Sequence, residues 1–233
     1  MFADRFSNAR AKVRALAAAL LCIAVAACST PNLVPGGRVS SAAPPKVRQS
    51  YSTPRTATAD LRQCEAKLNA ANVAFNLLPD QNYGGGCSAI NAVKLLNFGV
   101  EATNLGAMTC PLAANFAYWT HYAVQPAARL VFGSELVRIE TYGTYNCRNI
   151  AGSGKLSEHA HSNAVDVSGF VLADGRRISV LNGWNGDGQS QRFLRIIRGS
   201  ACKRFKTVLS PDYNADHANH LHLDMGGRGD YCR

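Results

Sequence analysis

Apolar residues at Leu61, Cys64, Leu68, Ala71 and Phe75 in "DLRQCEAKLNAANVAFNLL" recur at helical spacing and predict a helix over that stretch. A second helix is expected in "TCPLAANFAYWTHYAVQPAARLVFG", with Thr109 as cap and Pro111 near the first turn, running until Pro126 bends or ends it. His121 sits within it beside Trp119 and Tyr122, where a packed, hydrogen-bonded core histidine is expected. The pattern then changes period. "ELVRIETYGTY" alternates as a strand does, and "AVDVSGFVLADGRRISVLNGW" reads as two strands joined by the Asp174-Gly175 turn. "SQRFLRIIRGSACKRF" returns to helical period before "HLHLDM" supplies a last strand. Gly84, Gly85 and Gly86 lack the Gly-Lys-Ser/Thr that a phosphate loop needs, so they read as a turn. The expected class is α+β: helices packed on a small, largely antiparallel sheet.

The first 58 residues follow another logic. A basic start, "MFADRFSNARAKVR", precedes the short apolar run "ALAAALLCIAVAACST", too short to span a bilayer but suited to a signal peptide. Its ending, Val25-Ala26-Ala27-Cys28, resembles a lipobox, which implies cleavage after residue 27 and acylation of Cys28, an anchor to a membrane surface. Ser29 resembles the sorting signal of outer-membrane lipoproteins in Gram-negative envelopes. Residues 28–58 are rich in Ser, Thr, Pro and Gly and read as a tether, leaving 59–233 as the folded domain. Loss of Arg5, Arg10, Lys12, Arg14 and Asp4 with the signal peptide lowers the net charge from +10 to +7. No basic run interleaved with aromatics points to nucleic acid.

Cys22 lies in the signal segment, and Cys28 is the lipidation candidate. The other cysteines, Cys64, Cys87, Cys110, Cys147, Cys202 and Cys232, are an even set in an exported chain and predict three disulfides of undetermined pairing. With no CxxC pair, a metal must look to histidine and carboxylate.

Five of the six histidines lie in two short segments, "SEHAHSNAVD" and "DHANHLHLD". His159 and Asp166 cannot share an ion on one strand, where they would stand about 23 Å apart, or on one helix, where the axial distance is about 10 Å. Ser162 and Asn163 between them are turn formers that let the chain double back. His220 and His222 alternate along a strand and share a face. Two imidazoles, one carboxylate and an open position make a catalytic type of zinc site.

"SEHAHSNAVD" resembles the Ser-x-His-x-x-Gly-x-Ala-x-Asp signature of zinc peptidases grouped around D-Ala-D-Ala carboxypeptidases, lysostaphin-type enzymes and the hedgehog fold, and "HANHLH" resembles their ending. Ser162 replaces the signature's glycine. From "YGGGCSAINAVKLL" through "TYGTYNCRNIAGSGKLSEHAHSNAVDVSGF" to "HANHLHLDM", the chain is similar to the bacterial extensin-like C-terminal family. The resemblance implies His159, Asp166 and His222 as Zn2+ ligands, Asp224 orienting His222, and His217 or His220 as base, with the choice between them open. It further implies that Ser157 supports the loop and that Arg148 meets a substrate carboxylate or oxyanion. The implied activity is zinc-dependent hydrolysis of peptidoglycan peptides, as a D,D- or L,D-carboxypeptidase or endopeptidase. The competing expectation is a zinc-containing module that binds wall fragments or an envelope protein without cleaving them.

Overall fold

The first helix ends where a left-handed residue can end it. The computed structural model describes residues 59–229 and 231–233, so the expected signal peptide, the lipidation expected at Cys28 and the expected tether lie outside the described residues. Helix α1 (Ala59–Ala70) stops ahead of Asn72, which has φ 53°, and Val73 N donates to Leu68 O at 3.0 Å to close the end. The expected continuation of this helix through Phe75 is therefore corrected. Phe75 belongs to β1 (Ala74–Leu77), paired with β4 (Ala92–Asn97), and its apolar side chain packs on the core from a sheet.

Between these strands stands the hairpin of β2 (Gln81–Gly84) and β3 (Cys87–Ala89), turned by Gly84, Gly85 and Gly86, all at positive φ. Strands β5 (Glu101–Ala102) and β6 (Met108–Thr109) follow, and β1, β4 and β6 make a three-stranded sheet. Helix α2 (Cys110–Trp119) passes through a π turn (Thr120–Val124) directly into α3 (Gln125–Phe132). Pro126 thus neither ends nor breaks the rod, because the π turn has already moved the hydrogen bonds to i−5, with Gln125 N donating to Thr120 O. The same turn leaves His121 exposed, against expectation, with Trp119 and Val124 buried on either side.

The main sheet is built from β7 (Leu136–Gly143), β8 (Ala164–Leu172), β9 (Arg177–Ser179), β10 (Thr207–Leu209), β11 (Leu221–Asp224) and β12 (Tyr231–Cys232), with β5 at one edge. Its order is β12-β10-β11-β8-β7-β5, and β9 pairs with β8 beyond β11. It is antiparallel except for β10–β12 and β5–β7, at its two ends. The architecture is α+β, as expected. The second strand of the Asp174-Gly175 hairpin ends sooner than its apolar run implies. Ser179 caps α4 (Val180–Gly183) by accepting from Asn182 N, and α5 (Gly188–Ala201) follows with Asp187 as its cap.

A bulge divides β8 into two uses. Its pairing with β7 skips Ser168, since Glu140 faces Gly169 whereas Thr141 faces Val167. Alternation therefore resets there, and Val165 and Val167 before the bulge can join Phe170 and Leu172 after it in one core. Phe170 meets Trp119 of α2 at 6.3 Å and Phe193 of α5 at 5.1 Å between ring centroids. Leu221 and Leu223 of β11 lie in the same core. Strand alternation then turns Asp166, His222 and Asp224 to the face away from the helices.

Three disulfides join Cys64 to Cys110, Cys87 to Cys147 and Cys202 to Cys232, using all six cysteines expected to pair. Cys87–Cys147 ties the β2–β3 hairpin to the loop that carries Arg148, and Cys202–Cys232 ties the end of α5 to β12.

Candidate metal centre

A short reversal of the chain delivers His159 and Asp166 to one place. Ser157 Oγ accepts from His159 N at 3.3 Å and opens a 3-10 turn over Glu158–His161. Ser162, at φ 54° and ψ 28°, reverses the chain in the left-handed region, a conformation that glycine adopts more readily. Asn163 N donates to Glu158 O, and β8 begins at the next residue.

The third member arrives through sheet register. His222 pairs with Asp166 across β11 and β8, so both side chains leave the same face. His222 Nδ1 stands 2.9 Å from Asp166 Oδ1 and 3.2 Å from His159 Nε2, and His159 Nε2 stands 3.1 Å from Asp166 Oδ2. A tetrahedral ion with bonds of about 2.0–2.1 Å holds its ligands about 3.3 Å apart. Among the described residues, His159, Asp166 and His222 form the one group of at least three potential ligands that converges in this way. Their donor types and spacing fit zinc.

Burial disfavours a charged Asp166, but hydrogen bonds from His159 and His222 outweigh it and hold the carboxyl well below the usual carboxylate range. Burial likewise disfavours charge on His222, yet Asp166 and Asp224 raise its pKa to about 9. Asp224 Oδ2 lies 2.9 Å from His222 Nε2, and its other oxygen accepts from Gly226 N at 2.8 Å. With Nε2–H committed to Asp224, His222 offers Nδ1 to an ion, and the carboxylate fixes the ring plane.

The cluster borders a cleft of about 410 Å³ lined by Arg148, Ser157, Glu158, His217, His220, His222 and Asp224. His220 Nε2 is 3.5 Å from Asp166 Oδ1, and its Nδ1 is 2.8 Å from Asn219 Oδ1. His217 ends a second 3-10 turn (Ala215–His217), with its Nδ1 2.5 Å from Asn214 Oδ1 and its ring centroid 6.0 Å from that of His222. Burial and the neighbouring imidazoles of His220 and His222 lower its pKa to about 4. Burial also lowers that of His220, with Asp166 opposing. Arg148 is exposed and pairs with no carboxylate among the described residues, although its backbone is tied to Ser157. A larger cavity, about 940 Å³, runs along residues 94–105 and 136–138 and touches none of these groups, so size alone does not locate the chemistry.

Residues that pattern reading missed also line the cleft: Glu158, Tyr213, Asn214 and Tyr231. Tyr142 packs edge-on to His220 with ring centroids 5.8 Å apart. Only Glu158 carried a signal, as the immediate neighbour of His159. The model of the extensin-like protein C-terminus matches residues 62–233. No curated protein and no solved structure matches the chain. With the match spanning most of its length, this chain belongs to the extensin-like C-terminal family.

Proposed function

We propose that the protein is a zinc-dependent hydrolase of peptidoglycan peptides, acting as a D,D- or L,D-carboxypeptidase or endopeptidase and held in the bacterial envelope by lipid on Cys28. The observation that carries this reading is the convergence of His159, Asp166 and His222 beside a cleft that His222 lines together with His217, His220 and Arg148. A site built only to brace the fold closes its ion with a fourth protein ligand. Here three disulfides already brace the chain, the three ligand candidates are buried, and His222 opens the cluster to the cleft.

When bound there, zinc supplies Lewis acidity and makes water nucleophilic near neutral pH. The chain supplies the rest. His220 has its Nδ1–H directed to Asn219, which leaves Nε2 to accept a proton beside the ligand cluster. Arg148 at the cleft wall offers a planar fork to a substrate carboxylate or to the oxygen that becomes negative. The resemblance of the "SEHAHSNAVD" and "HANHLH" motifs to those of D-Ala-D-Ala carboxypeptidases supports the choice of substrate.

The test is to incubate the purified zinc-loaded protein, with and without chelator, on defined muropeptides and to follow released D-alanine and cut cross-links. Chelator-sensitive product is expected. One equivalent of bound metal with no product from any wall substrate would overturn hydrolysis in favour of a binding module.

A further inference from the structure

Two tyrosines in the lining of the cleft have no part in the metal chemistry. Tyr213 and Tyr231 both line it and remain 42% and 43% exposed. Their ring centroids are 6.2 Å apart at an interplanar angle of 86°, an edge-to-face corner closed at its tip by a hydrogen bond between the two hydroxyls. Tyr213 in turn lies 5.4 Å from His217, and His217 lies 6.0 Å from His222. Aromatic rings thus run without a break from the rim to a metal ligand.

Both tyrosines are held in place from behind. Asp212, adjacent to Tyr213, accepts from Trp184 Nε1 at 2.7 Å and from the Arg195 guanidinium, while Tyr213 N donates to Ser210 O. Tyr231 N donates to Lys206 O at 3.1 Å, its neighbour Cys232 is disulfide-bonded to Cys202, and the Arg233 guanidinium sits 5.0 Å from its ring centroid. An exposed aromatic ring fixed before binding spends little entropy when a ligand arrives.

We propose that this corner is a carbohydrate subsite, taking a pyranose ring of the wall glycan while the attached peptide reaches the His159–Asp166–His222 cluster. The choice of sugar rests on the wall-peptide reading above; the corner itself does not. A pyranose presents C–H groups on its faces and hydroxyls around its edge. An aromatic face takes the first, and the second need hydrogen-bonding neighbours. Asn214 keeps its amide donors beyond the Oδ1 engaged by His217, and Asp216 adds a carboxylate to the same wall. A slot for an apolar side chain would be closed and lined by carbon; these rings stay partly exposed and have Asn214 and Asp216 beside them.

The experiment measures calorimetric binding of a peptide-free wall glycan fragment and of a sugar-free stem peptide to the full chain, zinc-loaded and chelated. The glycan fragment is expected to bind in both states. Tyr213→Ala and Tyr231→Ala should each weaken it about tenfold, as should Tyr→Leu at either position, whereas Tyr→Phe keeps affinity within about threefold because the ring face remains. Equal glycan binding by wild type and the Ala variants would overturn the subsite. So would full affinity in the Leu variants, which marks an apolar slot. Hydrolysis of sugar-bearing and sugar-free peptides with equal kcat/KM sinks the subsite and leaves the hydrolase reading intact. Tyrosine-dependent glycan binding without hydrolysis of any substrate does the reverse.

Discussion

His222 stands opposite Asp166 in the β8–β11 ladder, and their ligand atoms meet at 2.9 Å. A register slip of one residue would put one of them on the core face, so the hydrophobic pattern that seats Leu221 and Leu223 also fixes the candidate metal site. His222→Ala should bring bound zinc from one equivalent to background by elemental analysis. Asp224→Asn, which keeps all three ligands, should weaken zinc about 10- to 100-fold in a competition titration against a chelator.

Metal binding should be strongly proton-linked. In the metal-free protein His222 has a pKa of about 9, raised above its ordinary 6.5 by Asp166 and Asp224 against the effect of burial. A raised folded-state pKa stabilises fully below the unfolded value and loses that stabilisation as pH rises through the folded one. Metal-free protein should therefore lose stability between pH 6.5 and 9. Zinc must displace the His222 Nδ1 proton, so its apparent affinity should climb over the same interval. Denaturant melts of the chelated protein and zinc titrations across this range check both slopes, which run in opposite directions.

Ser162 is fully buried, has φ 54°, and its Oγ has no hydrogen-bond partner. Glycine would relieve the left-handed backbone and remove the orphaned hydroxyl together. Ser162→Gly should therefore stabilise the protein by about 1 kcal/mol, raising Tm by roughly 2–4 °C. Ser162→Ala removes only the hydroxyl and should gain less. Calorimetry that finds both variants less stable than the wild type would show that the serine hydroxyl supports the turn.

Much of this site was legible because its spacing is local. His159, Ser162 and Asp166 sit on one reversal, and turn-forming residues between two ligands announce it. The α+β class followed from where helical period gives way to alternation. Boundaries were less legible. Apolar period carried the first helix on to Phe75 because left-handed Asn72 leaves no mark on hydrophobicity, and His121, expected in the core beside Trp119 and Tyr122, is exposed in a π turn that no local pattern announces. The tyrosine corner was invisible, since Tyr213 and Tyr231 meet only after β10 and β12 pair in parallel. Disulfide pairing was invisible for the same reason: it depends on contacts between elements that no local pattern records.

Cys202–Cys232 closes a loop with a sequence separation of 30 and holds an edge strand of two residues. Replacing both cysteines by serine should cost about 3 kcal/mol, mostly by freeing the unfolded chain. Because Tyr231 lines the cleft and adjoins this bridge, the same variant should raise KM for wall substrates while keeping one equivalent of zinc. Denaturant melts, metal analysis and steady-state kinetics separate the three effects.

The two cleft histidines should separate by role. Efficient proton transfer needs a base with a pKa near the working pH, and His217, lowered to about 4 by burial and the adjacent imidazoles, is poorly matched to neutral conditions. His220 also has its pKa lowered by burial, but Asp166 opposes that effect, and its Nε2 is 3.5 Å from a ligand oxygen whereas the His217 ring is a full ring contact away. His220→Ala should accordingly cut kcat about 10²- to 10⁴-fold and abolish the acidic limb of the pH–rate profile. His217→Ala should keep that limb, with a smaller loss felt mainly in KM, because His217 links the tyrosine corner to the metal ligands. Both variants should retain zinc. If His217→Ala removes the limb and His220→Ala leaves it, the two roles are exchanged.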